Sequence, residues 1–230
     1  MNNGQGQSQT RPAPILSATP TPLGLIGYCL SLSPLSIDLM GWRGAGGAGA
    51  ATSGGVFFFV GGLLLIITCI LEFLQSNTFK FVVCGTYGGF FLSYGATLTP
   101  FYDASTAYDP QNLDPLNPGF HSSFAFYLLF VGILTFFFLI ASVRLNVVFM
   151  SLFLCLTFAL ELLAGAYWQL ANGRLQLANK LQIAGGAFAF VSSLAGWYLV
   201  LGLVLVGAEF PFSLPVGDLS RFISKRRETT

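Results

Sequence analysis

GFHSSFAFYLLFVGILTFFFLIAS (119–142) runs for 24 residues without a single charged side chain. As an α-helix it reaches about 36 Å, which spans the ~30 Å hydrocarbon core of a bilayer. Asn117-Pro118 stands directly before it, giving a capping side chain followed by a first-turn proline. The rest of the chain has the same character, with 54% hydrophobic residues, 8% charged residues and 24 phenylalanines among 230. A soluble domain carries about a quarter charged residues. The composition therefore describes an integral membrane protein whose main partner is the lipid bilayer. A formal net charge of +1 excludes an electrostatic nucleic-acid binder.

Working outward, five more stretches qualify as spans, giving 23–40, 51–74, 80–101, 119–142, 146–170 and 182–208. The first is expected to be interrupted at Pro34. No alternating ten-residue pattern recurs between turns, so a β-barrel is excluded. The predicted fold is an all-α membrane protein, a bundle of six transmembrane helices over 20–210, with a polar segment at 1–19 and a basic tail at 211–230. Residues 1–14 lack a short apolar core with a small-residue cleavage site, so no removable signal peptide is expected. With six spans the termini share a side. That side carries Arg11, Lys80, Arg144, Arg221, Lys225, Arg226 and Arg227, against Arg43, Arg174 and Lys180 opposite. The excess predicts that both termini are cytoplasmic, where Arg221–Arg227 can also meet anionic headgroups.

The third span contains GTYGGFFLSYG (85–95), unusually rich in small and hydroxylic residues. At about 100° per residue it divides into three stripes. Gly85, Gly88, Gly89, Gly95 and Ala96 form a small face suited to close helix packing. Thr86, Ser93 and Thr97 form a hydroxyl stripe, and Tyr87, Phe91 and Tyr94 an aromatic one. Residue chemistry alone leaves pore lining and interhelical hydrogen bonding equally open for these two.

Two acids stand inside apolar segments. Glu72 lies near the cytoplasmic end of span two, and Glu161 about nine residues from the end of span five. Intramembrane acids are costly and functionally suspect; proton relay, gating and plain hydrogen bonding are the roles open to them. The lone His121 starts span four near the outer face. The four cysteines, Cys29, Cys69, Cys84 and Cys155, form no CxxC pair and read as buried thiols, with no disulfide framework and no metal site. No nucleophile–base pair or phosphate loop is present, so neither an enzyme nor a cofactor is expected.

Three motifs carry a family resemblance: TPTPLGLIGY (19–28), ILEFLQSNTFKFVVCGTYGGFFLSYG (70–95) and LPVGD (214–218). In this order they resemble the acetate uptake transporter family, which joins bacterial succinate–acetate permeases with fungal acetate and ammonia-export proteins. The resemblance implies a plasma-membrane homohexamer in which each protomer passes a short monocarboxylate through an apolar constriction. On this sequence the constriction maps to Tyr28, Tyr87 and Leu156, and the cytoplasmic mouth to Thr19, Pro20, Thr21, Pro22, Leu23, Gly24 and Leu25. Three departures stand out. Thr19 and Thr21 replace the hallmark asparagine and alanine, Tyr28 replaces a phenylalanine, and Leu65 aligns with a glutamine of the bacterial permeases. The Tyr28 hydroxyl is expected to wet the narrowing. Carriage of acetate, with or without a coupled proton, is the leading expectation. Ammonia or ammonium export and a non-conducting scaffold or acetate sensor are the alternatives.

Overall fold

The computed structural model describes residues 18–46, 53–111, 114 and 116–217. Six helices are long and apolar enough to cross a membrane: α1 (Thr21–Met40), α2 (Gly54–Leu74), α3 (Thr78–Leu98), α4 (Pro118–Ser142), α5 (Val147–Ala171) and α6 (Leu175–Gly207). No strand occurs among the described residues. The segment 1–17 and the basic cluster Arg221–Arg227 lie outside them.

Two elements differ from the sequence expectation. α1 continues through Pro34 rather than breaking there. Proline removes a single backbone donor, and packing on both sides of a membrane helix tolerates that loss. α6 begins at Leu175, seven residues before 182. Its opening turns carry Gln176, Asn179 and Lys180, so hydropathy places them outside the span although the hydrogen-bonded helix already runs there.

Local chemistry explains several helix ends. Asn117 accepts the Phe120 amide at 3.4 Å ahead of Pro118, starting α4 as its sequence predicts. Asn146 accepts the Phe149 amide at 2.8 Å, and the Val147 amide donates to the Gly217 carbonyl at 3.0 Å. Two orphan donors of the first turn of α5 are thereby satisfied, one by its own cap and one by the chain after the last helix. Tyr198 fixes that returning chain by donating to the Pro215 carbonyl at 2.8 Å. The described part of the LPVGD motif is thus a clasp across the start of α5.

Backbone approach is close along α4–α5, α5–α6, α6–α1, α1–α2 and α2–α3. The α1–α2 contact is tight enough that a Cβ on Gly27 would stand 2.9 Å from the Val60 carbonyl oxygen, within a π-helical stretch of α2 (Phe57–Gly62). By contrast, the α3 and α4 backbones stay apart and aromatic side chains fill the seam between them. Phe90 stacks on Tyr127 with centroids 6.0 Å apart, and Tyr94 meets Phe124 at 5.9 Å. The glycine stripe of α3 divides accordingly. Gly88 faces Ile66 of α2, whereas a Cβ on Gly89 would meet nothing.

Gly27→Val is expected to destabilise the bundle by roughly 1–3 kcal/mol, because the added carbon meets backbone that cannot step aside. Gly89→Ala is expected to leave stability unchanged or slightly raised. Thermal unfolding of the detergent-solubilised variants compares the two.

Candidate functional site

Three cavities lie in series along the bundle axis, ordered identically on every helix that lines them. The first, of about 50 Å³, opens at the end where α1, α3 and α5 begin. Its wall is Leu25, Leu65, Val83, Phe149 and Leu152, with Thr21 and Lys80 at the rim. The second, of about 40 Å³, lies one to two turns deeper between Leu32, Leu35, Tyr94, Leu156 and Leu160. The third, of about 310 Å³, occupies the opposite end and holds His121, Asn179 and Gln182. Leu39, Leu163 and Tyr167 are common to the second and third.

No residue is shared by the first and second cavities, and the side chains between them form a waist. Tyr28 and Tyr87 close the first cavity and Leu156 begins the second. All three are buried, with 4–5% of their surface exposed. The Tyr28 and Tyr87 rings stand 6.2 Å apart at 59°. Tyr87 stacks nearly parallel to Phe153 at 6.4 Å and meets Phe138 edge-on at 6.0 Å.

The hydroxyl protons of the two tyrosines can be assigned by counting. Ser192 donates its only hydroxyl proton to the Leu152 carbonyl at 2.8 Å, so at the 2.7 Å contact Tyr28 donates to Ser192. Thr135 likewise donates to the Val131 carbonyl at 2.7 Å, so at 2.9 Å Tyr87 donates to Thr135. Each tyrosine thus directs its proton towards another helix and presents ring surface at the waist. The expectation that the Tyr28 hydroxyl wets the narrowing is corrected here, since that hydroxyl is engaged with α6.

At the rim, Thr21 is buried and donates to Glu72 Oε1 at 2.6 Å, while Lys80 Nζ donates to Thr21 Oγ1 at 2.8 Å. Glu72 is only 1% exposed, and its Oε2 has no partner among the described residues. Of the other predicted mouth residues, Gly24 and Leu25 line the cavity. Thr19 is exposed, Pro20 is buried as the residue preceding α1, and Pro22 and Leu23 are half-buried outside the lining. Glu161 lines none of the three cavities; one of its oxygens lies against Gly132 in the α4–α5 seam. The hydroxyl stripe of α3 also stays off the axis, with Ser93 bonded to Tyr127 at 2.6 Å on an exposed face.

Sequence reasoning missed Ser192 and Thr135 as partners. A single hydroxyl in an apolar helix usually bonds back to its own backbone, as Thr135 does to Val131, whereas Ser192 of α6 reaches the Leu152 carbonyl of α5. Only the fold shows that their lone pairs also receive a tyrosine. Lys80 had counted only toward topology.

Comparison with known proteins agrees with this architecture. Residues 3–221 match the profile of the GPR1/FUN34/yaaH family. The chain belongs to that family. Among its relatives, protein alcS of Aspergillus fumigatus is 42% identical over 211 residues, covering 90% of this chain and 77% of that protein. The acetate transporter protein patA of Aspergillus clavatus is 33% identical, covering 91% and 81%. The ammonia transport outward protein 2 of Saccharomyces cerevisiae is 29% identical, covering 90% and 71%. The solved structure of the bacterial acetate channel SatP shares the fold, with a TM-score of 0.67 at 24% identity, covering 87% of this chain and 99% of that one. This member of the GPR1/FUN34/yaaH family is therefore an integral membrane protein with the six-helix architecture expected from its sequence.

Thr135→Val is expected to destabilise by about 1–3 kcal/mol by stranding the buried Tyr87 hydroxyl. Tyr87→Phe in the same chain is expected to restore part of that loss. A double-mutant cycle on thermal unfolding should give a coupling of about 1 kcal/mol; additive effects would show that the hydroxyls do not interact.

Proposed function

We propose that the protein conducts acetate and related short monocarboxylates across the membrane, each protomer using its own axial series of cavities. Tyr28, Tyr87 and Leu156 form the apolar constriction of that route. The observation that carries the reading is the pair of apolar cavities separated only by this buried waist. A water needs about 10–15 Å³ of such space, so the first cavity has room for about four non-hydrogen atoms, the size of acetate. A channel site has to hold its ion weakly enough to release it, and a wall of ring faces and leucines meets that need. The names of the patA relatives and the SatP fold support the same substrate class. We assign both termini to the cytoplasm, the protein to the plasma membrane and the assembly to a homohexamer, as the lysine–arginine distribution and the family resemblance imply.

An ammonium route is the second reading, favoured by the name of the yeast ammonia-export relative. A cation path should carry acids, yet Glu161 lies off the axis and the charged side chain on the first cavity's rim is Lys80. A scaffold without flux has no use for cavities in series.

Labelled-acetate uptake into cells lacking their own acetate carriers tests the reading, with labelled methylammonium in parallel. Saturable acetate influx competed by propionate is expected, and comparison of pH 5 with pH 7 reads proton coupling. Tyr87→Arg, which puts a charge into the waist, should cut influx at least about tenfold at equal membrane abundance. Methylammonium flux without acetate flux would transfer the assignment to the ammonium route.

A further inference from the structure

Lys80 takes no part in the waist, and its side-chain hydrogen bond goes to Thr21 of α1. Taking the protein as a carboxylate conduit, as proposed above, we propose that Lys80 is the carboxylate-binding group of the first cavity, positioned by Thr21 and Glu72. Three observations converge on it. Lys80 lines the cavity at its rim, and the rest of the wall is almost wholly apolar. Its ammonium donates to Thr21, and an ammonium carries three donors. Thr21 in turn donates to Glu72, a nearly enclosed carboxylate whose second oxygen is unpartnered among the described residues.

The direction of these bonds matters. Because the Thr21 proton goes to Glu72, only oxygen lone pairs face Lys80, which fixes the ammonium without removing its charge. The hydroxyl stands between ammonium and carboxylate, so Lys80 keeps donors for an incoming anion. Glu72, by accepting the Thr21 proton, holds Thr21 in this rotamer, a positioning residue rather than a ligand.

The arrangement sets the pose and the selectivity. A short carboxylate puts its oxygens on Lys80 and its alkyl end against Leu25, Leu65 and Phe153, pointing at Tyr28 and Tyr87. A second carboxylate on the same molecule would be buried against those apolar side chains without a partner, so monocarboxylates are preferred over dicarboxylates. An ammonium ion meets a like charge at this mouth. With Lys80 as the single cationic contact, the bound anion is held loosely, as a conducting site requires.

The test uses the purified full-length protein in liposomes at pH 7, where acetate is almost entirely anionic. Initial rates are corrected with protein-free vesicles. Lys80→Met is expected to raise the acetate KM roughly tenfold or more, because it deletes a charge-assisted hydrogen bond, while the maximal rate changes by less than about threefold. Lys80→Arg, which restores charge and donors, is expected to return KM to within about threefold of the parent. An unchanged KM in Lys80→Met overturns the assignment and leaves the carboxylate-conduit reading standing, since the parent still carries acetate. Should Lys80→Met fail to fold, the unmodified protein supplies the second readout, amine labelling followed by mass spectrometry. Acetate is expected to slow labelling of Lys80 and not of Lys180. Equal labelling of Lys80 with and without acetate, or none in either case, overturns the proposal. A parent protein that carries no acetate removes the transport reading, and the labelling experiment then reports separately whether a carboxylate binds.

Discussion

Tyr28 and Tyr87 each carry a phenolic proton that is buried inside a membrane bundle. An unpaired hydroxyl in such a place costs several kcal/mol in an apolar medium, so the fold has to supply acceptors. Ser192 of α6 and Thr135 of α4 supply them, and both have already given their own proton to a backbone carbonyl. That order of donation fixes the two rings, leaves their faces toward the axis and ties α1 to α6 and α3 to α4. A phenylalanine at position 28 would fill the same space, but it would not join the two helices.

The seam between α3 and α4 follows from the same pair. Elsewhere glycine and small residues bring neighbouring backbones together, as at Gly27 against Val60. Here the backbones stand apart and Phe79, Tyr87, Phe90 and Tyr94 of α3 reach across to Phe138, Thr135, Tyr127 and Phe124 of α4. A seam made of long side chains leaves interior space that a backbone contact would eliminate. The first two cavities border it through the α3 residues Tyr87, Phe90 and Tyr94. Helix spacing and interior cavities are therefore two consequences of one distribution of large and small residues.

The two intramembrane acids have different surroundings despite similar sequence settings. Glu72 is enclosed at the rim and bonded through Thr21 to Lys80. Glu161 is half-buried in the α4–α5 seam against Gly132, away from the axis. Hydropathy treats both as a charge inside an apolar run. Three-dimensional neighbours distinguish them.

The sequence by itself determined the class, the number of helices and most of their limits. Bilayer thickness demands a run of about 20 apolar residues, and that demand is one-dimensional. The Asn117-Pro118 start of α4 was legible for the same reason, since a cap involves residues three apart. It misjudged Pro34 and the start of α6, where a proline is held by its neighbours and polar turns continue as helix beyond the membrane core. The aromatic stripe of α3 was visible as a stripe, yet its chemistry alone did not separate pore lining from hydrogen bonding. Tertiary structure set Thr135 under the Tyr87 hydroxyl and the Tyr87 ring against the first cavity. It also decided which hydroxyl meets which ring across 164 residues and which acid stands beside Lys80. Those pairings depend on helix rotation and separation, quantities fixed by packing between distant segments that no local spacing encodes.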